Sequence, residues 1–313
     1  MILRDPEAIL QAHMPEGGPS GIAAPAAIAA AALGIEPQAI RSVEPIKHGL
    51  TNDSWLVRCD GDAVVVRLSN SAEDALQIDR QSEARILAAV AAAGIGPPVP
   101  LSAPARHVLV TRYLGKTWTA QDALCESNID RLAALLRRLH ELEVPAGIRH
   151  VELVQTVDGY LRTMQAQGIG GALTAASMRA RAFAIARALQ AGSSPRLCHN
   201  DVHHLNVVPG PTEPSTDAAR GGHEASALRL IDWEYAGCGE PLFDLASVCV
   251  SHGYDARRRE RLLLGYSALA HPDLRQRLEL ACWLFEYVRD LWLAVREHSD
   301  HERGRSFAAP PEL

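Results

Sequence analysis

Short runs of β-branched and other apolar residues fill the chain up to about residue 114. Four such runs, at 42–46, 55–59, 63–68 and 107–114, predict strands. The turn Asp60-Gly61-Asp62 between two of them is typical of a tight hairpin. Apolar residues at helical spacing over 73–93, followed by Gly94, predict a helix. The pattern in this part of the chain therefore predicts a small, strand-rich α+β lobe.

Beyond residue 114 the apolar spacing becomes mostly helical. The repeat from Ile129 to Leu139 predicts a helix with Ser127 as its N-cap. Further helices are predicted over 158–167, 175–190, 242–250, 256–269 and 272–298. The stretch 197–208, which has apolar residues at 197–198 and 207–208, and the apolar run 228–231 are predicted to pair as a hairpin. The segment 209–227 between them is rich in Pro, Gly, Ser and Thr, which favours a long surface loop.

Residues 1–40 show no chemistry of their own. A short helical stretch is predicted over 6–13, a break over 16–21, and an Ala-rich helix over 26–33 that Gly34 ends. We therefore predict three parts. They are an N-terminal helical extension (1–40), a smaller lobe (41–114) and a larger, mainly helical lobe (115–313).

Composition limits the classes of function. The 313 residues carry a net charge of −6 without a basic block, which argues against nucleic-acid binding and is compatible with a cationic substrate. None of the six cysteines forms a Cys-x-x-Cys pair, so reduced thiols in a cytoplasmic protein are expected. No apolar run reaches the roughly 20 residues of a membrane span, and the Ala-rich stretch lacks the basic region of a signal peptide.

Three polar residues stand at the ends of the paired apolar runs. Asp201 and Asn206 follow the first run, and Asp232 follows the second. Oxygen ligands of this kind suit a divalent metal, and one carboxylate can stay free to accept a hydroxyl proton. Ordinary turn chemistry is the alternative for the Asp and Asn of the loop.

Transfer of a phosphoryl group also needs a cation on the phosphates. Arg67 ends the most apolar strand, and Glu83 lies on the helix that follows. Gly49, in a small polar turn, allows backbone N–H groups to approach an anion. A surface arginine, a solvated glutamate and an ordinary turn are the alternatives.

Five motifs in chain order carry a resemblance to a known family. His199–Asn206 resembles the His-x-Asp-x₄-Asn loop of the protein-kinase-like aminoglycoside and choline phosphotransferases. Ile231–Gly237 resembles the metal-binding motif of the same group, and Gly239–Ala246 continues it. His48–Asn52 is similar to the nucleotide loop of the family, and Val64–Leu68 to its third strand.

The resemblance implies a two-lobed, protein-kinase-like α+β fold that uses ATP and Mg²⁺. It implies Asp201 as the base, Asn206 and Asp232 as metal ligands, and His199 and Asp244 as braces of the loop. For ATP it implies Gly49, Leu50, Thr51, Asn52, Arg67 and Glu83 near the phosphates, and Thr111, Arg112 and Tyr113 beside adenine.

The chain departs from the family pattern at three places. His48 stands where glycine is more usual, the 209–227 loop is longer than in many relatives, and Ser251 stands near the position where eukaryotic choline kinases carry an acid.

Aromatic residues crowd the last predicted helix although only 5% of the chain is aromatic. The resemblance to choline kinases implies that Trp283, Tyr287 and Trp292, with Tyr235, surround a cationic acceptor by cation–π attraction. On a helical wheel residue 292 lies opposite 283, so only part of the set can face one pocket. Packing in the core is the alternative.

We therefore expect an ATP-dependent kinase for a small-molecule alcohol, with choline or a related amino alcohol as the favoured acceptor. Thiamine, an aminoglycoside or a sugar remain open within the same fold. Two readings from other classes are a pseudo-kinase that binds nucleotide without turnover, and a hydrolytic metal site built from His199, His203 and His204 with Asp201.

Overall fold

The computed structural model describes residues 23–46, 52–69, 75–191, 193–210, 227–267 and 272–302. The strands in this part are β1 (Ile40–Pro45), β2 (Asn52–Cys59), β3 (Asp62–Ser69), β4 (Leu101–Ala103), β5 (Val108–Arg112), β6 (Arg196–Cys198), β7 (Val207–Pro209), β8 (Leu228–Leu230) and β9 (Gly237–Gly239). The α-helices are α1 (Ala23–Leu33), α2 (Arg80–Ala92), α3 (Ala120–Leu124), α4 (Glu126–His140), α5 (Leu153–Ala166), α6 (Ala176–Gln190), α7 (Pro241–Ser251), α8 (Ala256–Tyr266) and α9 (Pro272–Glu302). The predicted helix at 6–13, the turn at 48–51 and most of the 209–227 loop lie outside the described residues.

The chain divides into two compact units. Met1–Glu73 and Leu87–Leu114 form the first, and Asp74–Ile86 and Gly115–Leu313 form the second. The first half of α2, with Glu83, therefore belongs to the second unit, whereas the sequence places it in the smaller lobe.

The first unit is an antiparallel sheet in the order β1-β2-β3-β5-β4. Strands β2 and β3 pair in register from Asn52 opposite Ser69 to Cys59 opposite Asp62. The predicted hairpin turn lies between them, and Gly61 takes φ +74°, a left-handed conformation that glycine adopts without strain.

Helix α1 packs on this sheet and is part of the core of the first unit. Ile28 and Ala29 are buried against strand residues such as Val57, Val64 and Val110. The described end of the predicted N-terminal extension is thus built into the unit and is not separate from it.

The second unit is mainly helical, as its periodicity predicts. Helix α4 buries Ile129, Leu132, Leu136 and Leu139 along one face, and it packs on α8. The long helix α9 packs on α5, α6 and α7. The described residues contain no helix that is long and apolar enough to cross a membrane.

The predicted hairpin is confirmed for the run at 207–208, since β7 pairs with β8, but not for the run at 197–198. The run before Asp201 is β6, which pairs with β9, whereas β8 pairs with β7. The partner of the run at 197–198 was wrongly predicted because apolar runs of three residues carry no information about which strand they pair with.

Several helix boundaries also differ from the prediction. Helix α2 begins at Arg80 rather than at 73, because Oδ1 of Asp79 accepts from the backbone N–H groups of Gln81 and Ser82, at 3.0 Å each. Cys125, not Ser127, is the N-cap of α4. Helix α3, which Thr119 caps, and the short strand β4 were missed. The mixed α+β class, with a small antiparallel sheet and a helical remainder, is confirmed.

Gly237 provides a test of packing in the second unit. A Cβ atom there would lie 2.6 Å from Cγ2 of Val151 and 3.0 Å from the carbonyl oxygen of Arg149. We expect Gly237→Ala to lower the free energy of unfolding by about 1–3 kcal/mol, because the backbone must shift. Urea unfolding measures this. Gly170→Ala, where a Cβ meets nothing within 4 Å, is the control, and an equal effect of both changes contradicts the close approach.

Candidate active site

A buried carboxylate holds the polar loop that follows β6. Asp244, on α7, accepts from the backbone N–H groups of His199 at 2.9 Å and Asn200 at 2.5 Å. Nε2 of His140, from the end of α4, lies 2.9 Å from the same carboxylate. The side chain of Asp244 is fully buried, so these contacts satisfy a charge that water does not reach.

His199 is fully engaged inside the loop. Its Nδ1 accepts from the backbone N–H of Asp201 at 3.3 Å, and its Nε2 donates to the carbonyl oxygen of Ile231 at 3.0 Å. Its ring packs on Trp233, with ring centroids 4.6 Å apart. Burial lowers the pKa of His199, which favours the neutral ring. Because both ring nitrogens have partners, His199 could bind the metal of the hydrolytic site considered from the sequence only by breaking one of these hydrogen bonds.

Asp201, His203 and Asn206 meet at the surface of this loop. Nδ2 of Asn206 lies 2.9 Å from the carbonyl oxygen of Asp201 and 3.2 Å from its Oδ2. Nε2 of His203 lies 3.5 Å from the same Oδ2. The side chain of Asp201 is 32% exposed, so its carboxylate is both held and accessible.

The charges in this cluster stabilise an ionised Asp201. Burial raises its pKa, but the charge and hydrogen bond of His203 outweigh burial, and the pKa lies below its usual value. For His203, burial lowers the pKa, but Asp201 and Asp232 outweigh it and the pKa is raised. A carboxylate that is ionised at neutral pH can accept a proton from a hydroxyl group.

Asp232 directly follows the strand β8 and Ile231. The carbonyl oxygen of Asn206 accepts from the backbone N–H of Ile231 at 3.0 Å, which ties the two polar segments together. Asp232 is exposed, and its backbone adopts φ +65°, which is uncommon for a residue other than glycine.

The donor set of these segments fits Mg²⁺. Nδ2 of Asn206 is turned towards Asp201, so Oδ1 lies on the other side of the amide. Amide and carboxylate oxygens, as in Asn206 and Asp232, are the ligands that this ion prefers.

The predicted nucleotide residues of the first unit are only partly described. Gly49, Leu50 and Thr51 lie outside the described residues. Asn52 begins β2 and is buried, and Arg67 is buried on β3 opposite Ser54.

The strand that was predicted to lie beside adenine has its backbone largely engaged. The backbone N–H of Arg112 donates to the carbonyl oxygen of Pro98, and the backbone N–H of Tyr113 donates to the carbonyl oxygen of Ala63, both at 2.9 Å. The side chain of Arg112 is paired with Asp62. Backbone contacts with adenine on this strand would therefore use groups other than these two N–H groups, and Thr111, Arg112 and Tyr113 stay a prediction.

Glu83 has a partner that the sequence did not suggest. Nη1 of Arg80 lies 2.9 Å from Glu83 and 3.1 Å from Glu234, and all three side chains are buried. The predicted pairing of Arg67 with Glu83 stays a prediction.

The aromatic residues of α9 divide into two groups, as the helical wheel requires. Nε1 of Trp292 donates to the hydroxyl of Tyr235 at 2.7 Å. The carbonyl oxygen of Tyr235 in turn accepts from Nδ2 of Asn200 at 3.0 Å. Tyr235 and Trp292 are therefore linked to the residue next to Asp201.

Trp283 and Tyr287 have different neighbours. Their rings stack at 5.6 Å, and the guanidinium of Arg181 on α6 lies 4.2 Å from the centre of the Trp283 ring. The hydroxyl of Tyr287 donates to the carbonyl oxygen of Leu173 at 2.7 Å. These contacts join α9 to α6 and the segment before it, which agrees with the expectation that only part of the aromatic set faces one pocket, and the aromatic site itself stays a prediction.

Two further residues hold the loop and were missed from the sequence. Oγ of Ser247 accepts from the N–H of Val202 at 3.0 Å, and Nε2 of His252 accepts from the N–H of His204 at 3.1 Å. A polar residue on the inner face of α7 was the only available signal for Ser247.

The fold and the loop agree with what known proteins show. A family model described as "Phosphotransferase enzyme family" matches residues 42–280, and the chain belongs to this family. The expected resemblance is thereby confirmed. A thiamine kinase from Salmonella paratyphi B is 38% identical over 78 residues, which are 25% of this chain and 22% of that protein. The chain thus matches less than a quarter of the length of the curated relatives.

Solved structures extend the likeness to most of the chain. The choline kinase LicA from Streptococcus pneumoniae has a TM-score of 0.68 at 21% identity, covering 86% of this chain and 88% of that one. LicA has also been solved in complex with AMP, with a TM-score of 0.66 at 21% identity, covering 86% of each chain. A choline/ethanolamine kinase family protein from Mesorhizobium loti has a TM-score of 0.65 at 24% identity, covering 84% and 82%. These likenesses establish a protein-kinase-like fold.

His252 makes the stability of the second unit depend on pH. Burial lowers the pKa of His252 from 6.5 to about 4. The neighbouring His204 and His203 lower the pKa further, whereas the hydrogen bond to the carbonyl oxygen of Val248 raises it. The folded state therefore binds fewer protons than the unfolded state between these values, and stability falls as the pH decreases below 6.5. This group should contribute a loss of about 2 kcal/mol between pH 7 and pH 5.

The measurement is urea unfolding at both pH values. His252→Gln, which removes the titrating group, should lose less stability on acidification than the wild type. His150→Gln, at an exposed position, controls for removal of a histidine. Equal losses in all three proteins contradict a neutral, buried His252.

Proposed function

We propose that the protein transfers the γ-phosphoryl group of ATP to the hydroxyl of a small molecule, with Asp201 as the base. The observation that carries the proposal is the geometry of Asp201. Its carboxylate is partly exposed, lies 3.2 Å from Asn206 and 3.5 Å from His203, and has a lowered pKa. Such a group accepts the hydroxyl proton as the oxygen attacks phosphorus.

Asn206 and Asp232 would hold Mg²⁺ in this proposal. The ion would neutralise charge on the phosphates. The protein's own contribution is to fix the two ligands relative to each other, through the bond from the N–H of Ile231 to the carbonyl of Asn206.

The nucleotide residues are proposed from the family resemblance. Gly49–Asn52, Arg67 and Glu83 are assigned to ATP. The complex of LicA with AMP supports a nucleotide as the phosphoryl donor in this fold. We accordingly assign nucleotide binding to 41–114, and catalysis and acceptor binding to 115–313.

For the acceptor we propose a cationic amino alcohol, with choline as the first candidate. Tyr235 and Trp292 supply aromatic surface linked to Asn200 beside Asp201. Burial raises the pKa of Tyr235, and the charges of Glu234 and Asp201 raise it further. A negative potential at this hydroxyl favours a cationic acceptor. Choline and ethanolamine kinases among the structural neighbours support the same class.

Thiamine is a second candidate, because the 78-residue match is to a thiamine kinase. Thiamine also combines a cationic ring with a primary hydroxyl, so the aromatic pair suits it as well. Turnover with a panel of alcohols separates the two.

Asp201→Asn tests the reaction itself. With ATP and Mg²⁺, ADP production is measured against choline, ethanolamine, thiamine, an aminoglycoside and a sugar. We expect one class of alcohol to stimulate ADP release, and Asp201→Asn to lower kcat about 10²–10⁴-fold because the proton acceptor is lost.

Asp158→Asn is the matched control, since Asp158 is an exposed partner of Arg162 on α5. It should keep wild-type turnover. The proposed kinase is wrong if no alcohol raises ATP consumption above the background, or if Asp201→Asn retains full activity. If only a neutral sugar reacts, the proposed kinase reaction stands and only the proposal of a cationic amino alcohol as the acceptor is wrong.

The division of the aromatic residues predicts different effects of two substitutions. Trp292→Leu should raise KM for a cationic acceptor about 3- to 30-fold, because a cation–π partner next to Tyr235 is lost. Trp283→Leu should instead lower the free energy of unfolding, because Trp283 contacts Arg181 and Tyr287. Steady-state kinetics and urea unfolding of both variants are compared. A larger rise in KM for Trp283→Leu contradicts the assignment.

A further inference from the structure

Arg80 lies at the centre of a buried ion network in the second unit. Its Nη1 is 2.9 Å from Oε2 of Glu83 and 3.1 Å from Oε2 of Glu234. The exposed fractions of the three side chains are 7%, 3% and 3%. Glu83 follows on the same helix, whereas Glu234 is 154 residues further along the chain.

One guanidinium bridging two buried carboxylates is a strong constraint on position. Removing a buried charge from water is costly unless opposite charges and hydrogen bonds replace the water. Without Arg80, Glu83 and Glu234 would be two like charges held close together in a poorly hydrated place. Within the second unit, the network therefore favours one position of Arg80 and Glu83 relative to the segment that contains Glu234.

That segment is the turn which carries Asp232. Its other residues are each fixed by a contact of their own. Ile231 is held by Asn206 and His199, Trp233 by its Nε1 bond to the carbonyl of Leu230 at 3.0 Å, and Tyr235 by Asn200. Glu234 is fixed by Arg80. Asp232, with its left-handed backbone and exposed side chain, is the residue that these contacts present to solvent.

We propose that Arg80 is a positioning residue for metal and nucleotide binding. By holding Glu234 it fixes the backbone turn that aims the carboxylate of Asp232, and by holding Glu83 it fixes the acid assigned to ATP. This inference rests on the proposed kinase function, because it gives Asp232 and Glu83 the roles assigned there. In this proposal Arg80 itself contacts neither the metal ion nor the nucleotide.

The test measures binding rather than turnover. Mn²⁺, which replaces Mg²⁺ and is visible by electron paramagnetic resonance, is titrated into protein saturated with a non-hydrolysable ATP analogue. Calorimetry gives the affinity for the analogue separately. The variants are Arg80→Lys, Arg80→Met, Glu234→Gln and the double variant Arg80→Lys/Glu234→Gln.

Arg162→Met is the matched control, since it removes an arginine from an exposed ion pair with Asp158. Circular dichroism and urea unfolding select the variants that are folded under the binding conditions. If Arg80→Met does not fold, Arg80→Lys and Glu234→Gln carry the test, because each keeps a hydrogen-bonding group at its position.

We expect Arg80→Met and Glu234→Gln to weaken Mn²⁺ binding about 10- to 100-fold, as loss of a group that orients a metal ligand commonly does. Arg80→Lys should weaken Mn²⁺ binding to an intermediate degree. Because Arg80 and Glu234 share one contact, the double variant should lose clearly less binding free energy than the sum of the two single losses. Arg162→Met should bind as the wild type does.

The inference is wrong if folded Arg80 variants bind Mn²⁺ and nucleotide with wild-type affinity, or if the effects of Arg80 and Glu234 add independently. In either case the proposed kinase survives as long as the wild type binds both ligands and turns over. Absence of nucleotide and Mn²⁺ binding by the wild type overturns the kinase and this inference together.

Discussion

The carboxylate of Asp244 is the contact on which the loop after β6 depends. A buried charge is stable only where hydrogen bonds replace its hydration, and here the backbone N–H groups of His199 and Asn200 do so, together with His140. The same bonds fix the direction in which the chain leaves β6. Asp201 follows immediately, so the position of the candidate base is set by a neighbouring carboxylate to which no part in the proposed reaction is assigned.

The segment of Asp232 depends on the same arrangement. The carbonyl of Ile231 accepts from His199, and its N–H donates to the carbonyl of Asn206. Two short sheets, β6 with β9 and β7 with β8, bracket these contacts. A shift of either segment would break bonds in both, and the candidate base and metal ligands therefore move as one body within the second unit.

The sequence predicted what is local in this protein. The repeat over α4, the hairpin around Gly61, the mixed α+β class and the loop from His199 to Asn206 all follow from spacing or motif. The contacts between distant polar residues did not. His140 meets Asp244 across 104 residues and Arg80 meets Glu234 across 154. No periodicity encodes such pairs, because they arise only when apolar packing brings distant segments together. For the same reason the wrong partner was chosen for β6.

The backbone conformation at Asp232 limits the residue types that this position tolerates. With φ at +65°, a β-branched or bulky side chain is strongly disfavoured, and Asp, Asn and Gly are the residues that tolerate the conformation best. The residue type at this position is therefore restricted by the shape of the turn, and in the proposed function also by the need for an oxygen ligand. A related chain without the acid here is therefore expected to carry asparagine or glycine, and of these only glycine would keep the turn while offering no side-chain oxygen.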